Sequence, residues 1–384
     1  MKIILSTGAI RPPLTGIGRY ALELARGLQA RPEIASLRFY QSNRWVAEPD
    51  GLLGDAVRVA TPTKSTKPIW SRYLRKPVWF RRWQQLWPYR DHLFHSPNYF
   101  VPRFAGPLAV ATIHDLSIFK YAHTHPIDRL RQFEKEFPSS LKRTKHLITV
   151  SETTRLEVIA HFAWPAAKIT AVHSGVSPDF APRSAESIQA ILASHGLAFG
   201  TYSLCVSTIE PRKNIDRLIM AYAALPEALR RRYPLVLAGS KGWLSEDLHA
   251  LIARYQAAGW LHYLGFVADQ DLPALYAGAR LFAFPSTYEG FGLPVLEALA
   301  SGVPVVTSDR SSLPEVAGGA ALLVDPDDVV ALRLAIARAL EDAPWRAAAI
   351  ARGLVVASGF TWQRCAAQTL AVYQKVWAGG EFIF

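Results

Sequence analysis

At 384 residues the chain exceeds what one hydrophobic core usually holds, so two domains are the default. Half its residues are apolar and 19% are charged, which excludes a disordered chain; Cys205 and Cys365 stand too far apart to suggest a disulfide framework or metal cluster, and suit a reducing cytoplasm. The +12 charge is lopsided: residues 1–180 hold 26 Lys/Arg against 13 Asp/Glu, residues 181–384 hold 17 against 18, so an anionic partner is expected for the first half.

The opening "MKIILSTGAIRPP" has too short an apolar run for a signal peptide, and no window of about 18 apolar residues predicts a membrane span. A cytoplasmic location is therefore expected. Short β-rich runs then alternate with helical stripes, the pattern of parallel α/β layers. Strands are predicted at 2–6, 37–41, 57–61, 92–96, 108–114, 146–151 and 169–176. The first helix, "GIGRYALELARGLQA", carries apolar residues at 17, 21, 22, 24 and 28. Residues 177–187 lose periodicity and read as a linker. The pattern restarts with strands at 202–209, 233–239, 261–266, 280–286, 304–309 and 321–325, and helices between them at 214–225, 245–257 and 329–341. The run 361–377 is a closing helix able to pack on either half. This predicts two Rossmann-like doubly wound domains, 1–180 and 181–360, facing a central cleft, with a tail at 361–384. In such sheets ligands bind beyond the carboxyl ends of strands.

Several loops at those ends carry candidate chemistry. "EPRKN" puts Arg212 and Lys213 between a strand and a helix, where a fork and a point charge suit a diphosphate; a solvated basic turn reads the same residues. "STYEGFGLPVLEALASGVPVV" spaces Glu289 and Glu297 eight positions apart. Glu297 is expected in the first helical turn behind Pro294, where capping alone explains it. Glu289, in a glycine-flanked loop, caps nothing obvious, and Gly290 and Gly292 would let backbone N–H groups approach a ligand. Gly16 and Gly18 open the first helix as a partial dinucleotide fingerprint, but the second strand ends without a ribose-binding acid. A phosphate or acceptor loop and a plain capping turn stay open. His114-Asp115 ends a strand and offers acid–base or hydroxyl-binding groups, with His95 and His173 as weaker cases. Asp325-Pro326-Asp327 spells a D-x-D metal motif, yet precedes a helix, where turn and cap roles are the better reading. The segment 64–90 holds eight basic residues, four tryptophans and no acid, a composition for an anionic lipid surface or for the lining of a cleft, and less so for single-stranded nucleic acid.

Taken together, "TGIGRYALELARGL", "HD", "VSETTRLEV", "HSGV", "STIEPRKNIDRLI", the E-x7-E stretch and "FTWQRCAAQTLAVY" make the chain resemble the glycosyltransferase family 4 enzymes of GT-B fold, over nearly its full length. The resemblance implies a retaining, metal-independent transfer with no cofactor beyond a nucleotide-diphosphate sugar donor. By position, Arg212 and Lys213 would bind the donor diphosphate, Glu289 the sugar hydroxyls with the N–H groups of Phe291, Gly292 and Leu293, and Glu297 the ribose. His114 would contact the donor sugar, and Gly16 and Gly18 would face the phosphates and acceptor. Where many members carry Arg this chain has Ser207, which places more of the diphosphate charge on Arg212 and Lys213. The first helix region and "LFHSPNYFVP" are similar to bacterial O-polysaccharide mannosyl- and rhamnosyltransferases. That likeness implies a GDP-sugar donor and a lipid-linked saccharide acceptor. It also implies peripheral attachment at the inner face of the cytoplasmic membrane through 64–90, with no nucleic acid partner. A dinucleotide oxidoreductase using Gly16 and Gly18, and a non-catalytic binder using 64–90, are the rival readings.

Overall fold

The computed structural model describes residues 1–54 and 83–379. The strand expected at 57–61 and most of the segment 64–90 lie outside the described residues. Among the described residues two separate sheets are present. The first has seven strands in the order β3-β2-β1-β4-β5-β6-β7, with β1 Lys2–Ser6, β2 Ser36–Gln41, β3 Arg44–Val46, β4 Leu93–Ser96, β5 Ala109–Ile113, β6 His146–Thr149 and β7 Ile169–Ala171. The second has six, in the order β10-β9-β8-β11-β12-β13: β8 Ser203–Val206, β9 Leu235–Ala238, β10 Leu261–Gly265, β11 Leu281–Phe284, β12 Val305–Ser308 and β13 Ala321–Val324. Among the described residues every pairing is parallel except β2 with β3, a short antiparallel edge strand absent from the expectations because three residues show no period.

Parallel strands covered by helices on both faces read as unbroken apolar runs, and "LFAF" in β11 and "LVLA" in β9 are buried throughout. The expected linker is shorter than the composition suggests. Ser184 caps a helix, Ala185–Ser194, whose Ile188 and Leu192 are buried, so only the stretch before it is irregular. The closing helix Trp362–Ala378 packs on the first-half helix Gly16–Gln29, where a Cβ on Gly27 would lie 2.6 Å from that of Ala366. Its Tyr373 hydroxyl lies 2.6 Å from His95 Nδ1.

Each sheet reverses its strand order once, between β1 and β4 in the first and between β8 and β11 in the second. At such a switch point the flanking loops diverge to opposite faces and leave a crevice. The segments after β1, β8 and β11, which lead to Gly16, to Arg212 and Lys213, and to Glu289, bound these crevices, and His114 ends β5, the strand beyond β4.

Candidate active site

The loop after β8 forms one 3-10 turn, Pro211–Lys213, and Asn214 then adopts a left-handed conformation (φ 57°) before the helix Ile215–Ala223. That kink turns Arg212 and Lys213 toward the neighbouring loop after β11. Lys213 Nζ lies 2.5 Å from Glu289 Oε1, and Arg212 Nη1 lies 3.3 Å from Glu289 Oε2. Ser286 Oγ adds a third donor to the carboxylate at 2.7 Å. Burial alone would push the Glu289 carboxyl up, but Lys213 and Arg212 together overcome it and hold the group down at about 2. Glu289 is therefore an ionised acceptor at neutral pH.

Arg212 differs from Lys213 in its other bonds. It donates to the Tyr288 carbonyl and, at 2.7 Å, to Glu210, so its guanidinium already cross-links the two loops. Lys213 has the single carboxylate partner and sits over the Phe284 ring. Its ammonium is the cation more readily turned toward an incoming phosphate.

The loop continues through Gly290, whose Cβ, were there one, would lie 1.7 Å from the His114 carbonyl. Only glycine permits this approach of the second half to the end of β5. The loop is held there by hydrogen bonds from Ser151 Oγ to the Gly290 carbonyl (2.7 Å) and from the Leu116 N–H to Tyr288 (3.0 Å). Gly292, at φ 108°, then opens the helix Leu293–Ala300. Among the described residues no acceptor is bonded to the N–H groups of Phe291, Gly292 or Leu293, so three donors converge at a helix N-terminus beside Glu289.

Glu297 corrects the sequence expectation. The helix begins at Leu293 and no acidic residue falls in its first turn; Glu297 lies in the second, where it caps nothing. It is buried, and burial raises its carboxyl to about 7 against the opposing pull of Arg19. Arg19 was not anticipated. It comes from the first-half helix and pairs with Asp269 at 3.2 Å across the cleft, so both halves contribute charge around Glu297. The "GIGRY" motif contained that signal in the cation beside the glycines.

The two glycines separate in role. Thr15 caps the helix by accepting from the Gly18 N–H (3.2 Å), and a Cβ on Gly18 would lie 2.9 Å from the Ala9 carbonyl, so Gly18 serves the turn itself. Gly16 is exposed, and its Cβ position faces the Leu293 side chain at 3.6 Å. The start of the first-half helix thus meets the Leu293 side chain.

His114 Nε2 lies 2.7 Å from the Pro97 carbonyl, which can only accept, so Nε2 carries the proton. Burial lowers its pKa, and the neutral ring presents Nδ1 as an acceptor. Asp115 is committed locally, accepting from the Ser117 N–H (2.8 Å) and hydroxyl (2.7 Å). His95 is fully buried between Tyr373 and Thr112, and burial drives it to about 3, a packing role. His173 pairs with Glu315 at 2.6 Å and its ring lies 6.1 Å from that of Phe291. Ser207 lies at the strand end with its hydroxyl buried and unpartnered among the described residues. The D-x-D carboxylates are held in ion pairs, Asp325 with Arg310, Asp327 with Arg310 and Arg217, each at 2.6 Å.

Comparison with known proteins bears on this geometry. Residues 14–180 match the family described as Glycosyltransferase Family 4, and residues 198–354 match Glycosyl transferases group 1. The chain is 42% identical to O-antigen chain mannosyltransferase B of Escherichia coli over 97% of its own length and 100% of that protein. It is 35% identical to the serotype-specific mannosyltransferase WbdA of Escherichia coli over 62% of its length and 29% of that larger protein. Among solved structures, HepE of Anabaena in complex with UDP and glucose superposes with a TM-score of 0.73 at 18% identity, over 98% of this chain and 100% of that one, a likeness of fold. The chain belongs to the family 4 glycosyltransferases, and it is a glycosyltransferase of the GT-B fold.

Proposed function

We propose that the protein transfers a mannosyl unit from a GDP-linked sugar donor to a lipid-linked saccharide in O-polysaccharide synthesis, with retention of anomeric configuration. The observation that carries this reading is the Lys213–Glu289–Arg212 cluster beside three free N–H groups, at the switch point of the second sheet and against His114 of the first. The name of the 42% identical relative supports the choice of mannose and of O-antigen as the product class.

In this reading the donor diphosphate lies along the N–H groups of Phe291, Gly292 and Leu293, under Gly16. Lys213 leaves Glu289 for the phosphates, and Arg212 stays as the brace that keeps both loops in place while adding its charge. Breaking the anomeric C–O bond sends its electron pair to the diphosphate, so fixed cations and a helix N-terminus stabilise the developing charge where it forms. Glu289, freed of Lys213, accepts from the sugar hydroxyls. His114 Nδ1 accepts from another. Glu297 takes the ribose hydroxyls. With Asp115 committed to Ser117, same-face attack by the acceptor hydroxyl is the preferred route to retention, its proton passing to the departing phosphate oxygen on that face as the new C–O bond forms.

No helix among the described residues is long and apolar enough to cross a membrane. Attachment to an anionic membrane face through 64–90 remains part of the proposal, and Trp87, half-exposed with Arg90 stacked on it at 4.8 Å, is its described end. A thermal-shift panel tests the donor. GDP-mannose is expected to raise the melting temperature of wild-type protein and not of Lys213→Ala; stabilisation by UDP-sugars alone would redirect the donor assignment.

A further inference from the structure

A cavity of about 530 Å³ is lined by residues of both halves. Arg212 and Thr287 line it; Thr287 belongs to the loop that carries Glu289, and its N–H donates to the Arg212 carbonyl at 3.0 Å. Tyr121 and Thr124 of the first half form one side, and the loop and helix after β9 form the other. The two sides are tied together where Trp243 Nε1 donates to the Thr124 carbonyl and the indole stacks on His125 at 6.0 Å. The volume falls in the range of about 300–1,000 Å³ typical of small-molecule sites.

The lining argues for the ligand's chemistry. Asp216, Asp247 and Asp327 face Arg212 and Arg217, so carboxylates outnumber guanidiniums and the cavity offers no excess charge to a phosphate. Arg217 is neutralised by Asp327 at 2.6 Å, and Arg212 by Glu210 and Glu289. Asp216 and Asp247, by contrast, have no ion pair or side-chain hydrogen bond among the described residues. Their carboxylates are acceptors that suit hydroxyl groups.

The apolar side of the cavity points the same way. Leu248 and Leu251 supply an aliphatic floor, and Tyr121 an aromatic ring. Leu244 stands at the wall 57% exposed and with φ 53°, a left-handed conformation that a leucine adopts only at a cost of about 1 kcal/mol or more.

We infer that this cavity is a subsite for a neutral saccharide, the acceptor sugars distal to the one that reacts. The inference rests on the glycosyltransferase reading above and extends it to the acceptor. Sugar C–H faces pack on Tyr121 and the leucines, and hydroxyls bond to Asp216 and Asp247.

Full-length protein is tested with α-linked mannobiose and mannotriose by saturation-transfer NMR, and with mono-, di- and trisaccharide acceptors by kinetics. Wild type is expected to give saturation transfer to the free oligosaccharides. The Leu244→Gly, Asp247→Ala double variant is expected to lose it and to raise the KM of the longer acceptors about tenfold, with the donor KM unmoved. Leu244→Gly alone is expected to hold or raise the melting temperature, since it removes the strained φ. Unchanged acceptor KM in the double variant would overturn the subsite, as would displacement of mannobiose by inorganic diphosphate. A failure confined to this subsite leaves GDP-mannose stabilisation intact, whereas failure of the transferase reading removes that as well.

Discussion

Glu289 and Glu297 look alike in the sequence and differ at the level of their atoms. Glu289 is held at about 2 by two cations that outweigh its burial, whereas Glu297 is raised to about 7 because Arg19 only partly offsets its burial. The sign of the second shift sets a pH dependence. A carboxyl at about 7 when folded, against 4.5 unfolded, costs nothing below pH 4.5 and destabilises increasingly as pH rises through 7, by roughly 3 kcal/mol at the limit. Glu297→Gln removes this slope, so denaturant unfolding is expected to show the variant gaining on wild type between about pH 5 and pH 8. If ribose hydroxyls bond to the carboxylate, donor binding near pH 7 releases protons, which calorimetry in buffers of different ionisation enthalpy detects. Equal proton release from Glu297→Gln would remove the ribose assignment. The sequence made Glu289 conspicuous because no cap explained it. It could not place Glu297, since one residue of helix phase decides between first and second turn.

At the scale of elements, the site is two loops and a helix start made compatible by small residues. Gly290 lets the loop after β11 rest on the His114 carbonyl, and a Cβ there has no room at 1.7 Å. Gly290→Ala is expected to leave both sheets folded, by circular dichroism, while displacing Glu289 and lowering turnover about 100-fold or more. Gly239 is a different case. At φ 141° and with its Cβ position 1.9 Å from the Ser207 carbonyl, it joins β9 to β8 inside one sheet, so Gly239→Ala is expected to lower the melting temperature itself. Strand positions were readable because buried parallel strands are continuous apolar runs. The antiparallel edge Arg44–Val46 and the early start of Ala185–Ser194 were not, because a three-residue strand and a serine-capped helix look like loop composition.

The whole molecule depends on how its halves meet, and that was least visible in the sequence. Glu315, on the short helix Leu313–Ala317, inserts into the N-terminus of the first-half helix Glu152–Phe162. It accepts from the N–H groups of Glu152 (2.8 Å) and Thr153 (3.1 Å), the Thr153 hydroxyl (2.9 Å) and His173 Nε2 (2.6 Å). Burial would raise its carboxyl, but these donors bring it down to about 2. Its contribution is present above pH 4.5 and is lost as pH falls through about 2. Glu315→Ala is expected to loosen the two halves, seen as a larger radius of gyration in X-ray scattering and a raised donor KM. A variant with unchanged scattering and kinetics would contradict this role. "HSGV" and "VSETT" gave no hint of it, because the partner of His173 lies 142 positions away.

Lys213 and Glu289 are proposed as the donor-handling centre of a mannosyl transfer. Transfer of labelled mannose from GDP-mannose to a lipid-linked saccharide, compared between wild type, Lys213→Ala and Glu289→Gln of matched circular dichroism, tests it most directly. Wild type is expected to transfer the label, and each variant to lose about 100- to 1,000-fold. Turnover within a few-fold of wild type in both folded variants would contradict it.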